Sequence, residues 1–166
     1  MLIVPTDQEL AAQAEKLGEQ LLQRQAFLVT AESCTGGWVG KILTDIAGSS
    51  HWYDRGFITY TNQAKQELLD VPDEVLKHHG AVSEVTARAM VQGALAHSQG
   101  HVALAITGIA GPGGGTIEKP VGLVCFAWGN RAGQLVSEQQ TFLGSREAVR
   151  RQACLHALQG VLPLLS

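Results

Sequence analysis

The sequence predicts an α/β fold: three α/β/α layers around a mixed, mostly parallel sheet of about five strands. Three observations carry that expectation. Short apolar or β-branched runs (Ala26–Ala31, Gly56–Tyr60, His101–Thr107) alternate with segments whose apolar residues recur at helical spacing. Ala26–Ala31 and His101–Thr107 look buried, as strands covered on both faces are. The last two runs, Val121–Trp128 and Gln134–Phe142, flank the hairpin-like turn Asn130-Arg131-Ala132-Gly133 and should pair antiparallel.

The elements follow in order. Thr6 and Glu9 fit a capping box, and Leu10, Ala14, Leu17, Leu21 and Leu22 mark one helix. The strand Ala26–Ala31 runs into the polar turn Glu32-Ser33-Cys34-Thr35-Gly36-Gly37. Val39, Ile42, Leu43 and Ile46 then mark a second helix. Gly56–Tyr60 forms a strand, Asn62–Leu69 a short helix, and Pro72 suits the first residue of another. Ser83 caps a helix reaching about Ser98, and Ser145 caps a last one bearing Val149, Ala153, Leu155, Leu158 and Leu162.

Composition narrows the function classes. At 166 residues the chain is one domain's worth, 45% hydrophobic and only 16% charged, which argues against a disordered chain. Twelve basic against fifteen acidic residues, a net charge of -3, leave no basic footprint for nucleic acid. No run reaches the ~18 apolar residues of a membrane span, and the first residues lack a secretory pattern. A cytoplasmic protein is therefore expected. The three cysteines, Cys34, Cys125 and Cys154, are far apart and in no C-x-x-C, so neither a disulfide nor a cysteine zinc site is expected. His97 and His101 are four apart but separated by Gly100, a poor metal-binding face.

Nineteen glycines are an excess over the usual ~7%, and they cluster in Gly36-Gly37 and in Gly108–Gly115. Ligands of open α/β sheets settle at the carboxyl ends of strands. Three suspicious segments fall there: Glu32–Gly37, Tyr60–Lys65 and Thr107–Gly115. Ser33, followed by Gly36-Gly37 and a helix N-terminus, suits a nucleophile beside an oxyanion site; equally, Ser33 and Thr35 suit helix caps. Cys34 is a rival nucleophile. A serine needs a base, and none of the six histidines sits in a recognisable signature. Lys65 is the best-placed alternative, since a desolvated lysine can fall to ~7–8 and accept a proton, although helical lysines are usually solvated. Tyr60 can orient or relay that proton. Gly108–Gly115 reads as a phosphate cradle or as a plain connection, and it fits no nucleotide fingerprint. Arg146 and Arg150 fit either a phosphate clamp or a solvated helix face.

Several longer stretches carry a resemblance: TAESCTGG (Thr30–Gly37), DIAGSS (Asp45–Ser50), RGFITYTNQAK (Arg55–Lys65), HGAVSE (His79–Glu84), ITGIAGPGGG (Ile106–Gly115), EKPVGLV (Glu118–Val124) and FLGSREAVRRQA (Phe142–Ala153). In this order, over nearly the whole chain, they resemble the CinA C-terminal domain family. The resemblance implies hydrolysis of the carboxamide of nicotinamide mononucleotide, without metal or cofactor. It implies that Ser33 attacks, that Lys65, assisted by Tyr60, takes the serine proton, and that backbone N–H groups near Thr35, Gly36 and Gly37 hold the oxyanion. The phosphate would lie against Thr107, Gly108, the loop residues Gly111, Gly113 and Gly114, and Arg146. The resemblance further implies a homo-oligomer with a small-molecule substrate, no nucleic acid and no membrane. A non-catalytic nucleotide-binding module linked to DNA uptake, and another Ser-Lys hydrolase, are the competing expectations.

Overall fold

The computed structural model describes residues 1–166. Its spine is one five-stranded sheet of order β2-β1-β3-β4-β5, with β1 at Leu28–Glu32, β2 at Tyr53–Ile58, β3 at Val102–Gly108, β4 at Leu123–Asn130 and β5 at Leu135–Thr141. β1 pairs parallel with β2 and β3, while β4 pairs antiparallel with both β3 and β5. Four strands thus run one way and β4 alone opposes them.

The central strands alternate large and small residues, and that alternation decides where the helices sit. Leu28, Leu104, Ile106, Phe126 and Trp128 face one apolar cluster, shared with α1 (Asp7–Gln23), α2 (Trp38–Thr44) and α6 (Arg146–Gln159). Ala31, Ala103, Ala105, Cys125 and Ala127 face the other, under α5 (Glu84–Ala96). Small side chains there let α5 lie close against the sheet. Gly93 extends this crowding to α3 (Asn62–Leu69): a Cβ there would stand 1.9 Å from the Leu69 carbonyl oxygen. Gly93→Ala should therefore cost about 1–3 kcal/mol and lower the melting temperature by roughly 2–4 °C per kcal/mol. A thermal melt checks this, and an unchanged Tm would contradict the packing described.

Caps explain most helix starts. Thr6 and Glu9 form the reciprocal capping box of α1, and Thr61, Ser83 and Ser145 each accept an N–H in the first turn of α3, α5 and α6. Pro72 stands just before α4 (Asp73–His79) rather than as its first residue.

Three strand starts differ from the sequence expectation by two or three residues. The first strand starts at Leu28 because Gln25 takes φ 51° and the Phe27 N–H donates to His101 Nδ1. β2 spans Tyr53–Ile58 because Tyr53 pairs with Leu28, which leaves Tyr60 beyond the strand end. β4 begins at Leu123 because Gly122, at φ 95°, turns the chain and its N–H donates to Ile109.

The chain leaves β1 through α2 on one face and reaches β2. It then passes through α3, α4 and α5 on the other face to β3, on the opposite side of β1. The connections part at the carboxyl end of β1, which opens a crevice of the kind that binds ligands in α/β sheets.

Candidate active site

Glu32 closes β1, and Ser33 is the first residue beyond it, its N–H bonded to the Ile106 carbonyl of β3. α3 brings in Lys65, whose side chain is 1% exposed. Lys65 Nζ lies 3.1 Å from Ser33 Oγ and donates to the Thr59 carbonyl at 2.9 Å. No carboxylate pairs with it, and burial lowers its pKa from the usual 10.5. In its deprotonated form, an amine held by one N–H to Thr59 would have its lone pair free for the Ser33 proton.

Ser33, Cys34, Tyr60, Lys65, Ala81, Val82, Thr107, Gly108, Ala110 and Arg146 line a cleft of about 170 Å³. The structure therefore brings Ser33, Lys65, Tyr60, Thr107, Gly108 and Arg146 together. Tyr60 is exposed, and its hydroxyl accepts from Arg146 Nη2 at 3.0 Å rather than meeting Lys65. Arg146 also donates to the Gly111 carbonyl at 2.8 Å. The Thr107 hydroxyl donates to the Ala81 carbonyl at 2.7 Å, so it shapes the cleft wall.

The other expected residues lie elsewhere. The Thr35 side chain is fully buried, and its hydroxyl donates to Glu32 Oε1 at 2.6 Å. The Gly36 N–H donates to the Ser33 carbonyl, and Gly37 packs beneath Ile58. Gly111 serves the loop, where φ 83° and a crowding Val121 require glycine. Gly113 and Gly114 are exposed outside the cleft lining.

One expectation changes for a physical reason. The N-terminus of α2 is no open anion site, because the Glu32 carboxylate already accepts the N–H groups of Val39 (2.9 Å) and Gly40 (3.1 Å). Gly37, its N-cap, has no side chain to do so. That was a readable signal: a helix start with no polar cap needs an acceptor from elsewhere. The N–H groups of Cys34 and Thr35 make no hydrogen bond to another residue's backbone. Arg150 does not face the cleft either; it donates to the Cys34 and Thr35 carbonyls.

Burial pushes the Cys34 thiol up to about 12, so it is protonated at neutral pH. Cys34→Ala should change turnover by no more than about threefold, far below the loss expected for a nucleophile. A steady-state assay decides it; a large loss would make the thiol the attacking group. No group of three His, Cys, Asp or Glu side chains is arranged to hold a metal ion. No helix is long and apolar enough to cross a membrane.

The chain matches the family model for the CinA C-terminal domain over residues 10–165. It is 51% identical over 154 residues to "Nicotinamide-nucleotide amidohydrolase PncC" of Escherichia coli K12, covering 93% of each chain. It is 50% identical over 161 residues to a "Putative competence-damage inducible protein" of Symbiobacterium thermophilum, covering 92% of this chain and 37% of that longer relative. Among solved structures, a "competence/damage inducible protein CihA" of Agrobacterium tumefaciens superposes with a TM-score of 0.92 at 43% identity, covering 99% of both chains.

Proposed function

The chain belongs to the CinA C-terminal domain family, and from that premise we propose that it is a nicotinamide-nucleotide amidohydrolase. Its substrate in this reading is nicotinamide mononucleotide, converted to nicotinate mononucleotide and ammonia. The observation that carries the chemistry is the 3.1 Å approach of a buried, unpaired Lys65 amine to Ser33 Oγ. Similarity over 93% of the E. coli amidohydrolase supports the substrate class.

In this mechanism neutral Lys65 takes the Ser33 proton as Oγ attacks the carboxamide carbon. The oxyanion meets the free N–H groups of Cys34 and Thr35. As the carbon–nitrogen bond breaks, the Lys65 ammonium returns the proton and ammonia leaves. Water then attacks the Ser33 ester, giving its proton to Lys65, and Lys65 reprotonates Ser33 Oγ as the carboxylic product departs.

A cleft of about 170 Å³ is smaller than the ~300–1,000 Å³ of most small-molecule sites. It suits the carboxamide head, with the ribose and phosphate at its mouth. Arg146, the one arginine in the lining, is the group this reading assigns to the phosphate. Tyr60 holds Arg146 by its hydroxyl and borders the same mouth, so its role in this reading is orienting rather than proton relay.

The test is ammonia release in the presence of chelator from three substrates: nicotinamide mononucleotide, its phosphate-free nucleoside and free nicotinamide. The reading expects the mononucleotide to have the highest kcat/KM. Preference for either smaller compound would reject it, and binding without turnover would favour a non-catalytic nucleotide-binding module.

A further inference from the structure

The peptide groups just after Ser33 are held from two sides. On one side Glu32, 2% exposed, accepts from the Thr35 hydroxyl and from the N–H groups of Val39 and Gly40. On the other, Arg150 Nε donates to the Cys34 carbonyl and Nη2 to the Thr35 carbonyl, each at 3.0 Å. These are the only hydrogen-bond partners of that guanidinium, which makes no ion pair and lies 5.0 Å above the Trp38 ring.

A trans peptide is planar, so its C=O and N–H point in opposite directions. Anchoring the Cys34 carbonyl on Arg150 therefore aims the Thr35 N–H away from Arg150. The Ser33 carbonyl is likewise anchored by the Gly36 N–H at 3.0 Å, which aims the Cys34 N–H. Neither N–H bonds another residue's backbone, although Cys34 is 7% and Thr35 0% exposed. Buried, unpaired backbone donors are rare and call for an explanation. A developing negative charge on a group bonded to Ser33 Oγ supplies one.

We propose that Arg150 is a positioning residue, which sets the Cys34–Thr35 peptide so that the N–H groups of Cys34 and Thr35 receive the oxyanion formed on Ser33. The inference rests on Ser33 being the nucleophile. It assigns Arg150 a role in the rate of the acyl-transfer step and none in phosphate binding, although Arg146 lies one helical turn away.

Arg150→Ala and Arg150→Lys test it. Lysine keeps the charge and much of the stem over Trp38 but cannot bridge two carbonyls. Both variants should lose about 10²-fold in kcat, the scale of one lost oxyanion donor. KM should stay within about threefold, because ground-state binding is untouched. Millimolar guanidinium should restore part of the kcat of Arg150→Ala and none in Ser33→Ala. A phosphate clamp predicts the opposite split, with KM raised and kcat kept.

A second readout is independent of the natural substrate: the rate at which a fluorophosphonate modifies Ser33. There the Ser33 oxygen–phosphorus bond forms, fluoride leaves, Lys65 takes the proton, and the phosphoryl oxygen needs the same two donors. Slower modification in both variants, with unchanged melting, is the expected result. Wild-type rates in Arg150→Lys would overturn the proposal, and this variant decides should Arg150→Ala not fold. A wild-type protein inert to both nicotinamide mononucleotide and the fluorophosphonate would instead remove the nucleophile, and the proposal with it.

Discussion

Ser33→Ala is expected to cut ammonia release from nicotinamide mononucleotide by on the order of 10⁴-fold or more, the scale seen when an acyl-enzyme nucleophile is removed. Binding should survive. The variant loses one hydroxyl from the wall of a cleft whose other polar contacts, including Arg146, remain in place. The fold should survive too, because the Ser33 N–H and carbonyl, not its hydroxyl, hold the turn to Ile106 and Gly36. Loss of turnover with retained nucleotide affinity, read by calorimetry, is therefore the predicted pair of results. Loss of affinity would indicate a collapsed turn. Retained turnover would exclude the serine mechanism.

Lys65→Met carries the second large effect, a fall of about 10²–10⁴-fold in kcat, the range for a positioned general base. Methionine keeps the apolar stem and removes the amine. Burial holds the Lys65 pKa below its usual 10.5. The wild-type kcat/KM should then fall as pH drops through that lowered value, because the ammonium cannot accept the Ser33 proton. The residual activity of Lys65→Met should lack that acid limb.

Stability responds to pH in the same direction. The unfolded chain binds the lysine proton more readily, so wild-type stability decreases as pH falls from the unfolded pKa to the folded one. Lys65→Met removes that penalty and should be at least as stable as wild type at neutral pH, measured by denaturant unfolding at two pH values. A variant both inactive and strongly destabilised would make Lys65 structural rather than chemical.

Local chemistry was the legible part of this fold. Thr6 with Glu9, Ser83 and Ser145 announce three helix starts through side chains that cap within three residues, and Asn62–Leu69 is the helix the sequence predicts. The turn at Asn130–Gly133 likewise announces the antiparallel pair, where the Asn130 N–H donates to the Gln134 carbonyl. What could not be read depends on distant partners. Tyr53 joins β2 only because Leu28 lies opposite, 25 residues earlier in the chain.

The site divides in the same way. Ser33 and Lys65 stand out by their place after strands and by family resemblance, yet a lysine on a short polar helix gives no sign of burial. That burial arises because α3 packs against α5 and points Lys65 under the end of β1. Glu32 reads as one more polar residue of a turn, while its role as the anion at the start of α2 depends on how α2 folds back over β1. Arg150 reads as a solvated or phosphate-binding cation because its partners, two carbonyls more than a hundred residues away, carry no side-chain signature.

The most direct test of the central claim is to quench wild-type turnover of nicotinamide mononucleotide in acid and map the trapped adduct by peptide mass spectrometry. The account predicts nicotinate mononucleotide esterified to the peptide carrying Ser33, at the serine and not at Cys34, with the adduct missing in Ser33→Ala. Steady ammonia release with no adduct on that peptide, or an adduct that persists at Cys34 in Ser33→Ala, would contradict it.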